Sequence, residues 1–327
     1  MSLQTGDILR ERYKIQKFVS RGGMGNIFQA EDLRLEGRIC AVKEVRLDPS
    51  LPQETRRQTR AQFQIEANVL ARLDHPNLPK VSDIFSEGQN DYLVMDFVPG
   101  KDLRTLMLEV RQSGEFLEER KVLAWAKQIS DALIFLHAQD PPILHRDVKP
   151  SNLKLTPTGI VKLVDFGLVK ILASDDATIT IVQGRGTALY TPLEQYGGDT
   201  GHTDVRSDIY AFGATLYHLL TNHPPTQARE RFLSPDEVLP IDIANPNVSP
   251  RTARAIQWAM GLHPKNRPEN MEIFQKALLG NWNPESHITT PLPRPSFGDV
   301  VSSSVERNLI WISGALLLLS LIATVSH

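Results

Sequence analysis

The sequence has a single cysteine, almost no excess of charge and no apolar leader. Its one cysteine, Cys40, excludes an intramolecular disulfide framework, so we expect the globular part to fit a reducing compartment. The formal net charge of −2 provides no bulk attraction to nucleic acid, and we expect no nucleic-acid partner. The N-terminus, residues 1–15, lacks the apolar core of a signal peptide. No internal repeat and no cysteine/histidine metal cluster is present in the sequence.

One stretch is more apolar than a globular core requires. Residues 309–325 read LIWISGALLLLSLIATV and hold no charged residue in 17 positions. That length is at the short end of what spans a bilayer, and the stretch lacks the polar face of a core helix. We therefore predict a single transmembrane helix at 309–325. Residues 281–308, which contain proline and serine and show no periodicity, are predicted to be a linker.

Two features indicate how this helix is oriented. Only two residues follow it, so we expect a C-terminal anchor with the rest of the chain on one side of the membrane. Arg307 lies just before it and basic residues are frequent upstream, which favours a cytoplasmic side for the globular part. The predicted location is the cell membrane, in a single pass.

A polar loop in the middle of the chain carries the most specific chemistry. Residues 143–153 read ILHRDVKPSNL, with an acid at Asp147, a cation at Lys149 and an amide at Asn152. Phosphoryl transfer needs an acceptor for the nucleophile's proton, positive charge for the transferring oxygens and a ligand for magnesium. The loop resembles the catalytic loop of protein kinases, H-R-D-x-K-P-x-N, in its serine/threonine form.

A glycine-rich segment precedes this loop by more than a hundred residues. Residues 20–27 read SRGGMGNI between two strand-like stretches, and glycine allows backbone N–H groups to approach phosphates closely. The segment resembles the kinase pattern G-x-G-x-x-G. Ser20 takes the first glycine position, Gly22 and Gly25 take the other two, and Ile27 replaces valine.

Lys43 lies within the apolar strand-like segment 38–45, where a lysine is costly unless it meets an anion. The alternative is an edge-strand lysine that reaches solvent. A helix is predicted over 54–73, and Glu66 lies one turn before Leu70 on its apolar side. The resemblance implies that Lys43 binds the α- and β-phosphates of ATP and pairs with Glu66, which would otherwise be an ordinary surface glutamate.

The tripeptide Asp165-Phe166-Gly167 follows a short strand predicted at 160–163. The resemblance implies that Asp165 chelates Mg²⁺, with Mn²⁺ as an alternative, and that Asn152 is the second protein ligand. It also implies that Phe166 packs against Leu70 and His145.

The resemblance places the adenine edge against backbone groups of Asp96 and Val98, with Met95 guarding the inner pocket. The alternative for Met95 is an ordinary core residue. The complete ATP site implied by the resemblance comprises Ser20, Gly22, Gly23, Gly25, Ile27, Ala41, Lys43, Glu66, Met95, Asp96 and Val98.

Residues 168–185 are polar and poorly patterned, and they correspond to an activation segment. Arg146 is the natural counter-charge if a threonine there becomes phosphorylated. The alternative is a surface loop whose threonines have no such role. The candidate phosphosites are Thr178, Thr180 and Thr187, and the last of these is also expected to bridge Lys149 and Asp147.

The sequence departs from the family pattern after this segment. Residues 192–194 read Pro-Leu-Glu in place of A-P-E, and Ala188 replaces proline, which puts the shape of the peptide-docking shelf in doubt. Glu194 is still expected to pair with Arg267. Asp208, at the start of an apolar helix, is expected to hold the backbone of the catalytic loop.

The ordered motifs resemble bacterial eukaryotic-type (Hanks-type) serine/threonine protein kinases over about residues 10–280. The implied fold is α+β and bilobal, with a small antiparallel β-sheet lobe plus one helix at 10–97 and a mainly helical lobe at 98–280. The implied activity is ATP-dependent phosphorylation of protein Ser/Thr hydroxyls, with autophosphorylation, in membrane-attached signalling. Two alternatives are a pseudokinase scaffold and a small-molecule phosphotransferase. Whether the chain forms a homodimer is left open.

Overall fold

The computed structural model describes residues 3–22, 25–46, 52–165, 188–196, 203–233 and 238–280. These residues all belong to one compact unit, Met1–Trp282. Several predicted features lie outside the described residues: the helix at 309–325, the linker at 281–308, Gly23, Phe166, Thr178, Thr180 and Thr187. Among the described helices, none is both long and apolar enough to cross a membrane.

The N-terminal lobe is an antiparallel sheet with one helix. Its strands are β1 (Ile8–Leu9), β2 (Tyr13–Gly22), β3 (Gly25–Asp32), β4 (Ile39–Arg46), β5 (Val81–Glu87) and β6 (Asn90–Asp96). They lie in the order β1-β2-β3-β4-β6-β5, and every neighbouring pair is antiparallel. Helix α1 (Gln53–Arg72) connects β4 to β5.

Strand β4 is buried on both faces because apolar layers cover the two sides of the sheet. Side chains alternate between the faces of a strand, so Ala41 and Val45 share one face with Lys43. That face packs with Phe63 and Leu70 of α1 in the larger apolar core. The opposite face belongs to a second cluster formed by Leu9, Tyr13, Ile15, Phe28, Ala30, Cys40, Val42, Phe85, Tyr92 and Val94.

The C-terminal lobe is mainly helical. Its helices are α2 (Leu103–Gln112), α3 (Glu119–His137), α4 (Val205–Thr221), α5 (Ala228–Leu233), α6 (Ile241–Ala244), α7 (Pro250–Ala259) and α8 (Met271–Leu279). A second sheet, in the order β7-β8-β9, consists of Lys101–Asp102, Leu153–Leu155 and Val161–Leu163. The catalytic loop lies between α3 and β8.

Helix α4 is the centre of this lobe. Every residue from Ser207 to Thr221 is buried, as expected for a helix without a polar face. Helix α7 approaches it closely, because a Cβ on Gly213 would lie 2.8 Å from the Cβ of Ala259. A helix held on all sides is a rigid support for the loop beside it.

The predicted bilobal architecture is confirmed: a sheet lobe with one helix is followed by a helical lobe. The strand predicted at 160–163 is confirmed as Val161–Leu163. The described part of 222–249 has only two short helices, α5 with six residues and α6 with four.

Candidate active site

The backbone of the catalytic loop is held from below by helix α4. The N–H groups of His145 and Arg146 donate to the Asp208 carboxylate at 2.8 and 2.7 Å. Arg146 has a φ of 62°, a left-handed conformation that is unfavourable for a residue with a side chain. The two bonds to Asp208 hold it there, which confirms the predicted role of Asp208. Thr215 of α4 adds a third tie, from its Oγ1 to the carbonyl of Val148 at 3.0 Å.

The Asp208 carboxylate is inaccessible to solvent but remains favourable as an anion. Burial alone would raise its pKa, but the bond from His137 at 2.9 Å, the nearby histidines and the His145 N–H outweigh it, so the pKa lies below its usual range. No sequence pattern indicated a role for His137, the last residue of α3. Nothing local in a helix distinguishes a histidine that contacts a distant carboxylate from one that faces solvent.

Asp147 is oriented by two neighbours from its own loop. Lys149 Nζ donates to Asp147 Oδ2 at 2.7 Å. The Asn152 amide donates to the same oxygen at 2.9 Å and to the Asp147 carbonyl at 2.8 Å. The other oxygen, Oδ1, is buried and has no donor among the residues that the structure describes. A buried acceptor without a donor is unfavourable, so a hydroxyl group that donates to this oxygen would be favourable.

Lys43 and Asp165 meet although 122 residues separate them in the chain. The Lys43 ammonium lies 2.5 Å from Asp165 Oδ1, and the lysine is 5% exposed. Burial disfavours an ionised Asp165, but the charge and hydrogen bond of Lys43 outweigh it, with help from Lys149. The pKa of Asp165 therefore lies below its usual range, and the carboxylate is an anion at neutral pH. The sequence did not predict this direct pair.

Backbone bonds fix Asp165 relative to the catalytic loop. The N–H of Val164 donates to the carbonyl of Asn152 at 2.8 Å, and the N–H of Leu163 donates to the carbonyl of Asn77 at 2.8 Å. The contacts therefore run from Lys43 to Asp165, and from Val164, the residue before Asp165, through Asn152 to Asp147. The structure thus brings these groups together in one place.

The donor set fits a magnesium ion completed by other ligands. Mg²⁺ takes oxygen ligands and is usually bound through one or two carboxylates together with substrate phosphates and water. Asp165 offers a carboxylate, and the Asn152 amide nitrogen is engaged with Asp147, which leaves its oxygen as the ligand atom. In the described part of the chain, no group of three His, Cys, Asp or Glu side chains could hold a metal on its own. Two protein oxygens thus require further ligands such as phosphate.

The glycine-rich hairpin lies close against β4. Gly22 pairs with Gly25 and Ser20 pairs with Ile27 across strands β2 and β3. A Cβ added to Gly25 would lie 1.7 Å from the carbonyl oxygen of Glu44, the residue after Lys43. A side chain at that position would push the hairpin away from the strand that carries Lys43.

The predicted adenine site lies on the same face of the sheet. Cross-strand pairing places Ile27 opposite Lys43 and Ala41 opposite Met95, so these side chains share the face that carries Lys43. The backbone N–H of Asp96 is bonded to the Lys80 carbonyl at 3.0 Å. Val98 is buried just beyond the strand.

Glu66 is 5% exposed on the buried side of α1, the helix that packs on this sheet face. A buried glutamate is incompatible with the alternative of an ordinary surface residue. Its pairing with Lys43 stays a prediction, as do the individual ligand-binding roles of the residues above.

The predicted pair between Glu194 and Arg267 is confirmed as a buried, bidentate ion pair. The guanidinium donates to the two carboxylate oxygens at 2.6 and 2.9 Å. Arg267 also donates to the carbonyls of Gly261, Leu262 and Arg206. The Pro-Leu-Glu departure at 192–194 therefore leaves this structural tie intact.

Arg146 presents a partly buried cation in the catalytic loop. Its Nε and Nη2 atoms are buried and have no hydrogen-bond partner among the residues that the structure describes. Burial disfavours its charge, so its pKa lies below its usual range despite the nearby charges of Asp208 and Glu66. An unsatisfied guanidinium of this kind is stabilised by an incoming anion.

Comparison with known proteins agrees with this geometry. The family model for the protein kinase domain matches residues 13–279. Serine/threonine-protein kinase PknA of Mycobacterium tuberculosis is 35% identical over 323 residues, covering 94% of this chain and 70% of that protein. The probable serine/threonine-protein kinase PknB of Lactococcus lactis is 35% identical over 223 residues, covering 68% of this chain and 34% of that protein. The chain spans about a third of the length of several curated relatives that it matches.

Solved structures show the same fold. The PknI kinase domain of Mycobacterium tuberculosis has a TM-score of 0.64 and 26% identity, covering 86% of this chain and 100% of the solved one. The apo form of PpkA-294 has a TM-score of 0.67 and 25% identity, covering 85% of this chain and 99% of the solved one. The chain therefore belongs to the protein kinase family, through a kinase domain of the bacterial Hanks-type serine/threonine class.

Proposed function

We propose that the protein transfers the γ-phosphoryl group of ATP to Ser/Thr hydroxyls of protein substrates. The observation that carries the proposal is the set of contacts that brings Lys43, Asp165, Asn152 and Asp147 together. Phosphoryl transfer is catalysed almost entirely by positioning and by charge stabilisation. This cleft holds two cations and two carboxylates at hydrogen-bonding distance, as that mechanism requires.

Asp147 would accept the proton of the attacking hydroxyl through Oδ1, which no described residue contacts as a donor, while Lys149 and Asn152 hold Oδ2. Lys43 would orient the α- and β-phosphates, and Lys149 would steady the transferring group. Asp165 and Asn152 would hold the cation. When bound, Mg·ATP supplies the phosphoryl group and a metal charge that neutralises the phosphate oxygens.

The test of this role is the variant Asp147→Asn. It should lower phosphorylation of a generic protein substrate at least a hundredfold, since a positioned base contributes about 10²–10⁴-fold, while ATP still binds. Transfer of labelled phosphate and calorimetric titration with Mg·ATP measure the two quantities. Asp74→Asn removes a carboxylate that is 79% exposed on the surface and serves as the matched control. Equal transfer by the Asp147 variant refutes the role, and nucleotide binding without transfer by the natural chain indicates a pseudokinase scaffold.

We further propose regulation by autophosphorylation in the segment that contains Thr178, Thr180 and Thr187. Arg146 supports it, since a phosphate could accept from its buried Nε and Nη2 atoms, for which the described part of the chain supplies no acceptor. Mass spectrometry after incubation with Mg·ATP should find phosphate on at least one of these threonines. A rate per molecule that rises with protein concentration would indicate transfer between two copies, as a homodimer allows. Absence of phosphate from all three would remove this proposal.

We also propose that residues 309–325 anchor the chain in the cell membrane with the kinase domain on the cytoplasmic side. The support is the run of 17 uncharged residues. Leu317→Arg combined with Leu318→Arg should release the chain from the membrane, since each arginine at the centre of a span is unfavourable by about 2.5–3.5 kcal/mol. Alkaline extraction of membranes measures the release, with the corresponding double alanine variant as control. A natural chain that extraction removes from membranes would overturn the proposal.

A further inference from the structure

A pocket of about 400 Å³ opens beside the catalytic loop in the helical lobe. Helix α2 forms one wall with Arg104, Leu108 and Arg111. Lys149, Tyr190 and His218 also line it. Because Lys149 also donates to Asp147 at 2.7 Å, the pocket is next to the carboxylate that would accept the substrate's proton.

The described residues that line this pocket include no acidic side chain, although two of them are arginines. Neither Arg104 nor Arg111 has a carboxylate within 4.0 Å among the residues that the structure describes. On most protein surfaces, basic side chains are interspersed with acidic ones. Here the positive charge is left uncompensated at a concave site.

The two arginines lie on one side of α2 by construction. Positions 104, 108 and 111 are four and seven residues apart, which puts them on the same face of a helix. The Cα atoms of the arginines are therefore about 10 Å apart along the axis, with Leu108 between them and buried Met107 behind. A ligand in this pocket meets apolar surface in the middle and a guanidinium at either side.

His218 supplies no further positive charge at neutral pH. It is buried, and its ring Nδ1 lies 2.7 Å from the Tyr190 hydroxyl. Burial first, and then the charges of Arg104, Arg111 and His223, lower its pKa to about 4. The positive potential of the pocket therefore comes from the two arginines and Lys149.

We propose that this pocket binds an anionic side chain of the protein substrate, a carboxylate or a phosphate, located within a few residues of the hydroxyl that is phosphorylated. The inference rests on the proposed kinase function and adds a sequence preference to it. A basic substrate side chain would meet only like charge here, whereas an anionic one can bond a planar guanidinium on either side. The pocket thus selects for acidic or already phosphorylated sequences and against basic ones.

A peptide series tests this preference with the full-length protein. Each peptide carries one threonine acceptor, and a single neighbouring position is glutamate, phosphoserine, glutamine or arginine in turn. At one position or more, kcat/KM for the glutamate or phosphoserine peptide should exceed that for the glutamine peptide by about fivefold, which corresponds to a partly exposed ion pair. The arginine peptide should be the poorest. Preference for phosphoserine alone supports the phosphate form of the proposal.

The variants Arg104→Gln and Arg111→Gln, alone and combined, locate the preference. The ratio of kcat/KM for the anionic peptide to that for the glutamine peptide should fall toward one in the double variant. Arg120→Gln removes an exposed arginine of the same lobe that lies outside this pocket, and it should retain the natural ratio. The double charge reversal, Arg104→Glu with Arg111→Glu, should turn the preference toward the arginine peptide. Thermal unfolding confirms that each variant is folded.

Three results overturn the proposal: equal use of all peptides, a preference for arginine peptides, or an anionic preference that the double variant retains. Each of these leaves the kinase function standing, because phosphate is still transferred. Failure to phosphorylate any peptide or protein at all would instead remove the proposed function itself.

Discussion

The carboxylate of Asp208 should contribute several kcal/mol to stability and also hold the catalytic loop in place. Its side chain is 0% exposed and accepts from His137, His145 and Arg146 at 2.7–2.9 Å. Asp208→Ala leaves these three donors buried without an acceptor. Each unsatisfied group is unfavourable by about 1–3 kcal/mol, and local relaxation recovers part of the sum. We expect a loss of about 4 kcal/mol, in the range for breaking a buried charged network.

Asp208→Asn removes the charge of the side chain but keeps its shape, so it measures the effect of the charge separately. The amide keeps one acceptor oxygen, but its NH₂ group would face a donor. We therefore expect the free energy of unfolding to fall by about 2 kcal/mol. Asp204→Asn is the matched control, since Asp204 caps the same helix by accepting from the Arg206 N–H at 2.8 Å and is 38% exposed. As an exposed cap exchanged for another good cap, it should change stability by less than about 1 kcal/mol.

Urea unfolding at pH 7 measures these free energies, and phosphate transfer by the same samples measures the function. We expect Asp208→Asn to lower kcat by at least about tenfold under conditions where the variant is fully folded, because a small displacement of Asp147 is sufficient for such an effect. A loss below about 1 kcal/mol for Asp208→Ala, together with natural turnover, would refute the idea that α4 holds the loop.

Two further predictions concern single residues near the cleft. His218 has a pKa lowered to about 4 by burial and by neighbouring cations, so the unfolded chain binds its proton first as the pH falls below about 6.5. The stability it contributes should decrease by about 2 kcal/mol between pH 7 and pH 5, a decrease that His218→Gln should remove in urea titrations. Gly25→Ala should lower the free energy of unfolding by about 3 kcal/mol and weaken ATP binding, since its Cβ would lie 1.7 Å from the carbonyl oxygen of Glu44. Gly88 has a φ of 61° and open space where a Cβ would lie. Gly88→Ala should lower the free energy of unfolding by about 1 kcal/mol and leave ATP binding unchanged.

Local sequence patterns were sufficient to predict the helices and strands and those contacts whose residues belong to a recognisable motif. The alternating strands, the apolar stripe of α3 and the shift to the wholly apolar α4 follow from periodicity. The ties from Asp208 to the loop and from Glu194 to Arg267 follow from the order of the motifs. These features are fixed by residues whose chemistry admits few partners in a buried setting.

Contacts between elements that are distant in the chain could not be predicted from local sequence patterns. His137 contacts Asp208 because α3 packs beside α4 within the helical lobe, and Lys43 contacts Asp165 because the sheet lobe meets the helical lobe. Arg104 and Arg111, on the polar side of an amphipathic helix, have the pattern of any solvated surface. These two arginines line a pocket beside the catalytic loop. No spacing within α2 indicates which residues of other elements complete that pocket.

The charges of the cleft explain why so many ionised groups can lie there together. Buried ions are tolerated when each has a partner at hydrogen-bonding distance, and here Lys43 is paired with Asp165 while Lys149 is paired with Asp147. A bound nucleotide with its metal would bring both signs of charge, so Lys43 and Asp165 would each keep an opposite charge nearby. Among the described residues, no carboxylate lies within 4.0 Å of Arg104 or Arg111, and under the proposed substrate preference an anionic substrate side chain would compensate these two charges.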